Sequence, residues 1–174
     1  MKKQLFFIIF LAFAGLLPLM AQSLQQKAQS LKKPSDCGVA AYDAFKNSSF
    51  GLKDELAKSD KTYEAISKEI AKYSTKKKPA TAENIKADIA KVNTMKTNLK
   101  NYDEKIVNLA ESGKKLSTSL GSVKPINKIK SATSNTQKSI KAVDLSRQLL
   151  TGLSSKTNKD LTLLNGLLSK AGGK

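Results

Sequence analysis

The sequence predicts an all-α fold, an antiparallel up-down-up bundle of three long helices with coiled-coil-like packing. Three observations carry this. Apolar residues recur every seven positions, in steps of three and four, within three separate segments. Short turns rich in Pro, Gly and Lys separate the segments, and no alternating strand pattern competes with them. A period of 3.5 rather than 3.6 residues implies left-handed packing of helices that run back and forth.

The chain opens with Met1-Lys2-Lys3 and an apolar run from Leu5 to Leu17 broken by Pro18, the pattern of a secretory signal. Ala21 supplies a small residue for cleavage, so residues 1–21 are expected to be a signal peptide and the mature chain to start at Gln22. Leu19 stands where a small residue is preferred, and the alternative is a retained anchor. The run is nevertheless shorter than the ~20 residues of a spanning helix. Cys37 lies too far along, without a small-residue box before it, to be a lipidation site. Residues 22–34 read as a flexible polar leader. The bundle is expected over 35–171 as one domain, with 172–174 frayed.

The first helical segment carries Tyr42, Phe45, Ser49, Leu52, Leu56, Ser59, Tyr63, Ile66, Ile70 and Tyr73 on one seam. Ser35 after Pro34 is the expected N-cap, with Asp36 in the first turn where the helix dipole favours negative charge. Gly51 weakens the middle without breaking it. Lys76-Lys77-Lys78-Pro79 closes the helix, because a residue before proline avoids helical geometry. Thr81 opens the second helix, whose seam reads Ile85, Val92, Leu99, Ile106, Gly113, Leu120 at one heptad position. The other position reads Asp88, Met95, Tyr102, Leu109, Leu116, Val123. Gly113 marks a kink or a close approach of two helices, and Asp88 is read as a carboxylate near solvent and the helix dipole.

Gly121-Ser122-Val123-Lys124-Pro125 is a turn. The third segment runs through Ile126, Ile129, Thr133, Thr136, Ile140, Val143, Arg147, Leu150, Ser154, Thr157, Leu161, Leu164 and Leu168. Its polar positions suggest weaker packing in the middle, and Gly152 is a place where it would split into two helices. Few oppositely charged pairs flank the seams, which favours an intramolecular bundle over a parallel homodimeric coiled coil. Asp54 with Lys58, Glu64 with Lys68 and Glu111 with Lys115 are expected surface pairs.

Composition excludes much chemistry. The chain has no histidine and one cysteine, so the commonest general base, the commonest metal ligand and an intramolecular disulfide are all missing. Cys37 is expected to be a partly buried thiol with no role, the alternative being a disulfide to a second chain in an oxidising compartment. Asp54-Glu55 and Asp103-Glu104 are helix neighbours about 100° apart, which do not converge on one atom. No phosphate-binding glycine loop or nucleophile elbow occurs. Tyr42, Tyr63, Tyr73 and Tyr102 all fall on seams, as core residues with hydroxyls directed outward. An enzyme is not expected, and no cofactor or metal is.

What remains is charge. The formal charge is +17, or +15 once Lys2 and Lys3 are removed with the signal, and Arg147 is the one arginine. Lysine acts as a flexible point charge and lacks arginine's planar fork, which argues against base-specific readout; together with export, this sets nucleic acid aside. Charge rises toward the C-terminal third, where only Asp144 and Asp160 offset ten bases. The candidate partner-binding residues are Lys124, Lys128, Lys130, Lys138, Lys141, Arg147, Lys156 and Lys159, with Leu163 and Leu167 from a broad apolar face at Leu161–Leu168. The sequence therefore predicts a non-enzymatic exported protein of the cell envelope, periplasmic or secreted. Its lysine-rich helical surface would meet an anionic envelope surface, with peripheral membrane contact, or another exported protein. The alternative is a periplasmic holdase that shields unfolded envelope proteins. Such chaperones are similar to this chain in being exported, basic and rich in long helices, but no segment here supplies a β-rich oligomerisation body.

Overall fold

The computed structural model describes residues 24–172; the expected signal peptide and the last two tail residues lie outside them. The described chain is all-helical, with no strand among the described residues and four helices packed against one another. Helix α1 covers residues 24–30, α2 is Ala40–Ser74, α3 is Ala82–Thr118 and α4 is Ile129–Gly172. Two short 3-10 turns, Leu120–Ser122 and Ile126–Lys128, link α3 to α4. No described helix is long and apolar enough to cross a membrane.

Residues 24–30, read from sequence as part of a flexible leader, are helical and lie on α2. Ala28 is buried, and Lys53 donates to the carbonyls of Ala28 at 2.6 Å and Leu31 at 3.1 Å. The ammonium thus satisfies carbonyls that the end of a short helix leaves without partners. Gln25 adds a bond to Asp60 at 2.7 Å.

Helix α2 starts at Ala40, later than the expected cap at Ser35. Gly38 has φ +74, a left-handed conformation that interrupts helical propagation and that glycine adopts without a Cβ penalty. The Asp43 carboxylate accepts the Cys37 and Gly38 N–H groups at 2.8 and 2.9 Å, fixing the entry in place of a side-chain N-cap. At the other end Lys76 sits at φ +56, with its N–H on Tyr73 O and the Lys77 N–H on Lys72 O. That is a Schellman stop with lysine where glycine is usual. Thr81 caps α3 as expected, accepting from the Asn84 N–H at 3.3 Å.

The seams of α2 and α3 lie inward, from Tyr42 to Tyr73 and from Ile85 to Leu116, while Leu120 and Val123, expected as the last seam residues of the second helix, lie beyond its end, with Val123 buried. Leu56, Tyr63, Ile70, Ile85, Val92 and Ile106 are fully enclosed, and each such large apolar side chain contributes roughly 1.5–3 kcal/mol on burial. Gly113 marks a close approach: a Cβ there would meet Phe45 Cζ at 2.8 Å and Ile140 Cγ1 at 3.3 Å.

Helix α4 corrects two expectations. It runs unbroken through Gly152, and of its two expected seam positions one is buried as read, at Thr136, Val143, Leu150, Thr157 and Leu164, while the other is displaced by one residue. Ala132, Ser139, Ser146 and Leu153 face the core in place of Thr133, Ile140, Arg147 and Ser154, of which Ile140 and Arg147 are exposed, as is Ile126 ahead of the helix. The polar positions are well buried: Thr136, Ser139 and Ser146 return their hydroxyl protons to the carbonyls of Ala132, Asn135 and Ala142 at 2.7–2.9 Å. Satisfied internally, these short side chains let α4 wedge against both α2 and α3.

Candidate functional site

The exposed side of α4 lies opposite that buried stripe. Lys130, Lys141 and Lys159 are separated by 11 and 18 residues, close to whole turns at 100° per residue, so they share one line on the helix. Lys138 lies beside Lys141. All four are exposed, and among the described residues none has a carboxylate within ion-pair distance. Lys124 is exposed on the α3–α4 turn. Lys128 is half-buried, and a Cβ built on Gly38 would come within 3.2 Å of its Nζ.

The remaining candidates stand elsewhere. Arg147 lies 3.5 Å from Asp144 on its own helix. Lys156 donates to Asp60 at 2.6 Å, and the same carboxylate accepts from Gln25, so this lysine ties α1, α2 and α4 together. Leu163 and Leu167 are half-buried against the main core, with Leu161 and Leu168, and form its edge. The structure therefore brings Lys130, Lys138, Lys141 and Lys159 onto one unpaired face and leaves Lys156, Leu163 and Leu167 within internal contacts.

Reading charge by thirds of the chain obscured a further feature. Residues 112–143 hold seven lysines and no acidic residue, so Lys114 and Lys115 at the end of α3 belong to the same basic region as Lys124 and Lys130. A scan for acid-free runs rather than net charge would have found it.

Many carboxylates elsewhere are engaged, but among the described residues Glu83, Asp103, Glu104 and Glu111 carry no ion pair, so the expected Glu111–Lys115 pair is not formed. Glu64 pairs with Lys68 at 3.1 Å as expected, but Asp54 pairs with Lys53 rather than Lys58, and Glu55 reaches Lys105 on α3. Asp88, expected near solvent, is only 2% exposed. It accepts from Tyr73 Oη at 2.9 Å, Lys78 Nζ at 2.5 Å and Lys91 Nζ at 2.9 Å. Burial opposes its ionisation, but hydrogen bonds from Lys78, Lys91 and Tyr73 outweigh that, holding the carboxyl below its ordinary range. Burial and the Asp88 contact raise the Tyr73 phenol in turn. The cluster locks the α2–α3 turn.

The tyrosine hydroxyls do not point outward. Tyr42 donates to Leu116 O at 3.1 Å, Tyr63 to Asp160 at 2.8 Å, and Tyr102 shares a bond with Ser59 at 3.1 Å. Each crosses between helices. Burial first, then the Asp160 contact, push the Tyr63 phenol far above its usual value. Cys37 is a buried free thiol, raised mainly by desolvation with Asp43 adding to it. Among the described residues no group of three or more His, Cys, Asp or Glu is placed to hold a metal ion.

The lysine face is suited to extended rather than compact anions. Lys130 and Lys141 are about 16 Å apart along the helix and Lys141 and Lys159 about 27 Å, at 1.5 Å per residue. Those distances exceed the ~10 Å screening length at 0.1 M salt, so they do not converge on one phosphate. Comparison of the chain with protein-family models, with curated proteins and with solved structures gives no match.

Proposed function

We propose that the chain is a non-enzymatic, exported envelope protein that binds an extended anionic partner through the lysine face of α4 and the adjoining α3–α4 turn. The observation that carries this is the set Lys130, Lys141 and Lys159 on one line of α4 with Lys138 beside it, all exposed and without acidic partners, whereas six of the thirteen lysines on α2 and α3 are paired with carboxylates. A monomeric domain gains nothing in stability from such a row, since like charges on a surface repel. Lysine supplies attraction without geometric selectivity, which suits a surface or polymer of repeated negative charge.

The proposed frame for that face is an up-down-up arrangement of α2, α3 and α4. Contacts between α2 and α3 join early residues to late ones, Tyr42 with Leu116 and Tyr73 with Asp88, as antiparallel neighbours do. Contacts between α2 and α4 rise together, Asp43 with Asn135 and Asp60 with Lys156, which supports a parallel third member.

The test is co-sedimentation of residues 22–174 with phosphatidylglycerol-containing and purely phosphatidylcholine vesicles, at low and high salt. Binding to the anionic vesicles alone, weakened steeply by salt, is expected. Replacing Lys130, Lys138, Lys141 and Lys159 with glutamine should abolish it with helical content unchanged. Salt-insensitive binding to unfolded envelope proteins, unaffected by those replacements, would instead favour a holdase.

A further inference from the structure

The α3–α4 end of the bundle joins two features. One is the acid-free stretch 112–143 with its seven lysines. The other is Ile126, in the middle of that stretch and 80% exposed, well beyond the other exposed large hydrophobics, Val107 at 49% and Ile140 at 36%.

Ile126 does not hang on a loose loop. It opens the 3-10 turn Ile126–Lys128, closed by the Lys128 N–H on Pro125 O at 2.9 Å. Just before it, Val123 is buried with Cys37, Tyr42 and Ala132 in a second small core. The turn is thus seated on the bundle, and its isoleucine is held outward with Lys124 and Lys130 exposed on either side. Of the carboxylates near this end, Asp36 pairs with the Lys46 ammonium and Asp43 accepts the Cys37 and Gly38 N–H groups, while Glu111 stands farther back on α3 beside Lys114 and Lys115. Positive charge therefore surrounds an apolar side chain.

We infer that this turn is a membrane-contacting tip, in which Ile126 enters the acyl boundary of an anionic bilayer while Lys124, Lys128 and Lys130 meet lipid phosphates. This rests on the anionic-partner reading above and narrows it to lipid. A water-soluble polyanion would satisfy the lysines and leave Ile126 hydrated. A bilayer offers negative charge with an apolar layer directly behind it, so both features are used at once. Lysine stems lie along apolar surface while their ammonium groups stay in water, which allows the flanking residues to follow the isoleucine inward. Single exposed hydrophobics on protein surfaces are ordinary. Here the position on a fixed, acid-free, basic end gives this one a use.

The chain contains no tryptophan, so Ile126→Trp places a single reporter at the tip and Val107→Trp a control on α3. Anionic vesicles should shift the emission of the Ile126→Trp protein to the blue, and brominated lipid should quench it; the Val107→Trp protein should show neither. Ile126→Ser should bind the same vesicles roughly tenfold more weakly, the effect of losing partial burial of one aliphatic side chain. Far-UV circular dichroism confirms the fold of each variant. Vesicle binding with unshifted, unquenched Ile126→Trp emission would overturn insertion and leave the basic-surface reading standing. Binding to soluble polyglutamate without binding to vesicles would overturn the lipid assignment alone. Binding to neither would remove both.

Discussion

Gly51 and Gly113 are both interior helix glycines, yet alanine should act oppositely at the two. Intrinsic propensity favours alanine by about 1 kcal/mol at either position. At Gly51 an added Cβ meets nothing within 4 Å, so that gain should appear nearly whole. At Gly113 the Cβ would sit 2.8 Å from Phe45 Cζ, roughly 1 Å inside the favourable carbon–carbon range, and 3.3 Å from Ile140 Cγ1. Phe45 is itself buried, so its ring has no solvent to swing into, and overpacking of this kind costs about 1–3 kcal/mol. The propensity term cancels between the two variants, which leaves the overpacking cost as the difference. Gly51→Ala should therefore raise stability by up to about 1 kcal/mol. Gly113→Ala should be neutral or destabilising, by up to about 2 kcal/mol. Urea denaturation of residues 22–174, followed by circular dichroism, measures both. Equal shifts for the two variants would refute the close approach of α2, α3 and α4 at Gly113.

Three further outcomes are expected. Asp88→Asn should destabilise by about 2 kcal/mol near neutral pH, less than the ~3–5 kcal/mol for breaking a fully buried pair because Lys78 and Lys91 reach water. Since the Asp88 carboxyl is held below its ordinary value when folded, its contribution is present above the unfolded value near 3.8 and fades as pH falls through the folded one. The gap between wild type and variant in urea melts should thus narrow below about pH 4, and a gap that widened on acidification would exclude the assigned ion pairs. Lys76→Gly should stabilise by about 1 kcal/mol, because it relieves a left-handed lysine at the end of α2; a loss on thermal melting would contradict the Schellman stop. Cys37 should react with a thiol reagent at the rate of unfolding or slower local opening, and rapid labelling of the native chain would show its pocket to be open.

How legible the structure was in the sequence depended on what each helix packs against. The seams of α2 and α3 were read at nearly every position because large apolar residues such as Leu56, Ile70 and Val92 occupy them. Gly113 was recognised as a kink or close approach for the same reason, as an anomaly in a regular pattern. One of the two seam positions of α4 was misread by one residue, the other being buried as read, because the helix contacts two others and the space between them takes alanine and serine better than isoleucine. Counting hydrophobicity favours Ile140 over Ser139, whereas a hydroxyl bonded to its own preceding turn is cheap to bury. The helix at residues 24–30 was not read from the sequence because much of its attachment runs through Lys53, Asp60 and backbone carbonyls, with only Leu24 and Ala28 adding apolar contact. The lysine face was visible as composition, but which lysines remain unpaired depends on contacts such as Lys156 with Asp60, distant in sequence.

The most direct test of a located anionic-partner surface compares two charge-matched variants of residues 22–174 for binding to anionic vesicles at low salt. One replaces Lys130, Lys138, Lys141 and Lys159 with glutamine; the other replaces Lys58, Lys61, Lys96 and Lys100, which are exposed on α2 and α3. Loss of binding in the first with retention in the second is the expected result. Equal weakening in both would show that net charge alone drives the association and would contradict a binding face on α4.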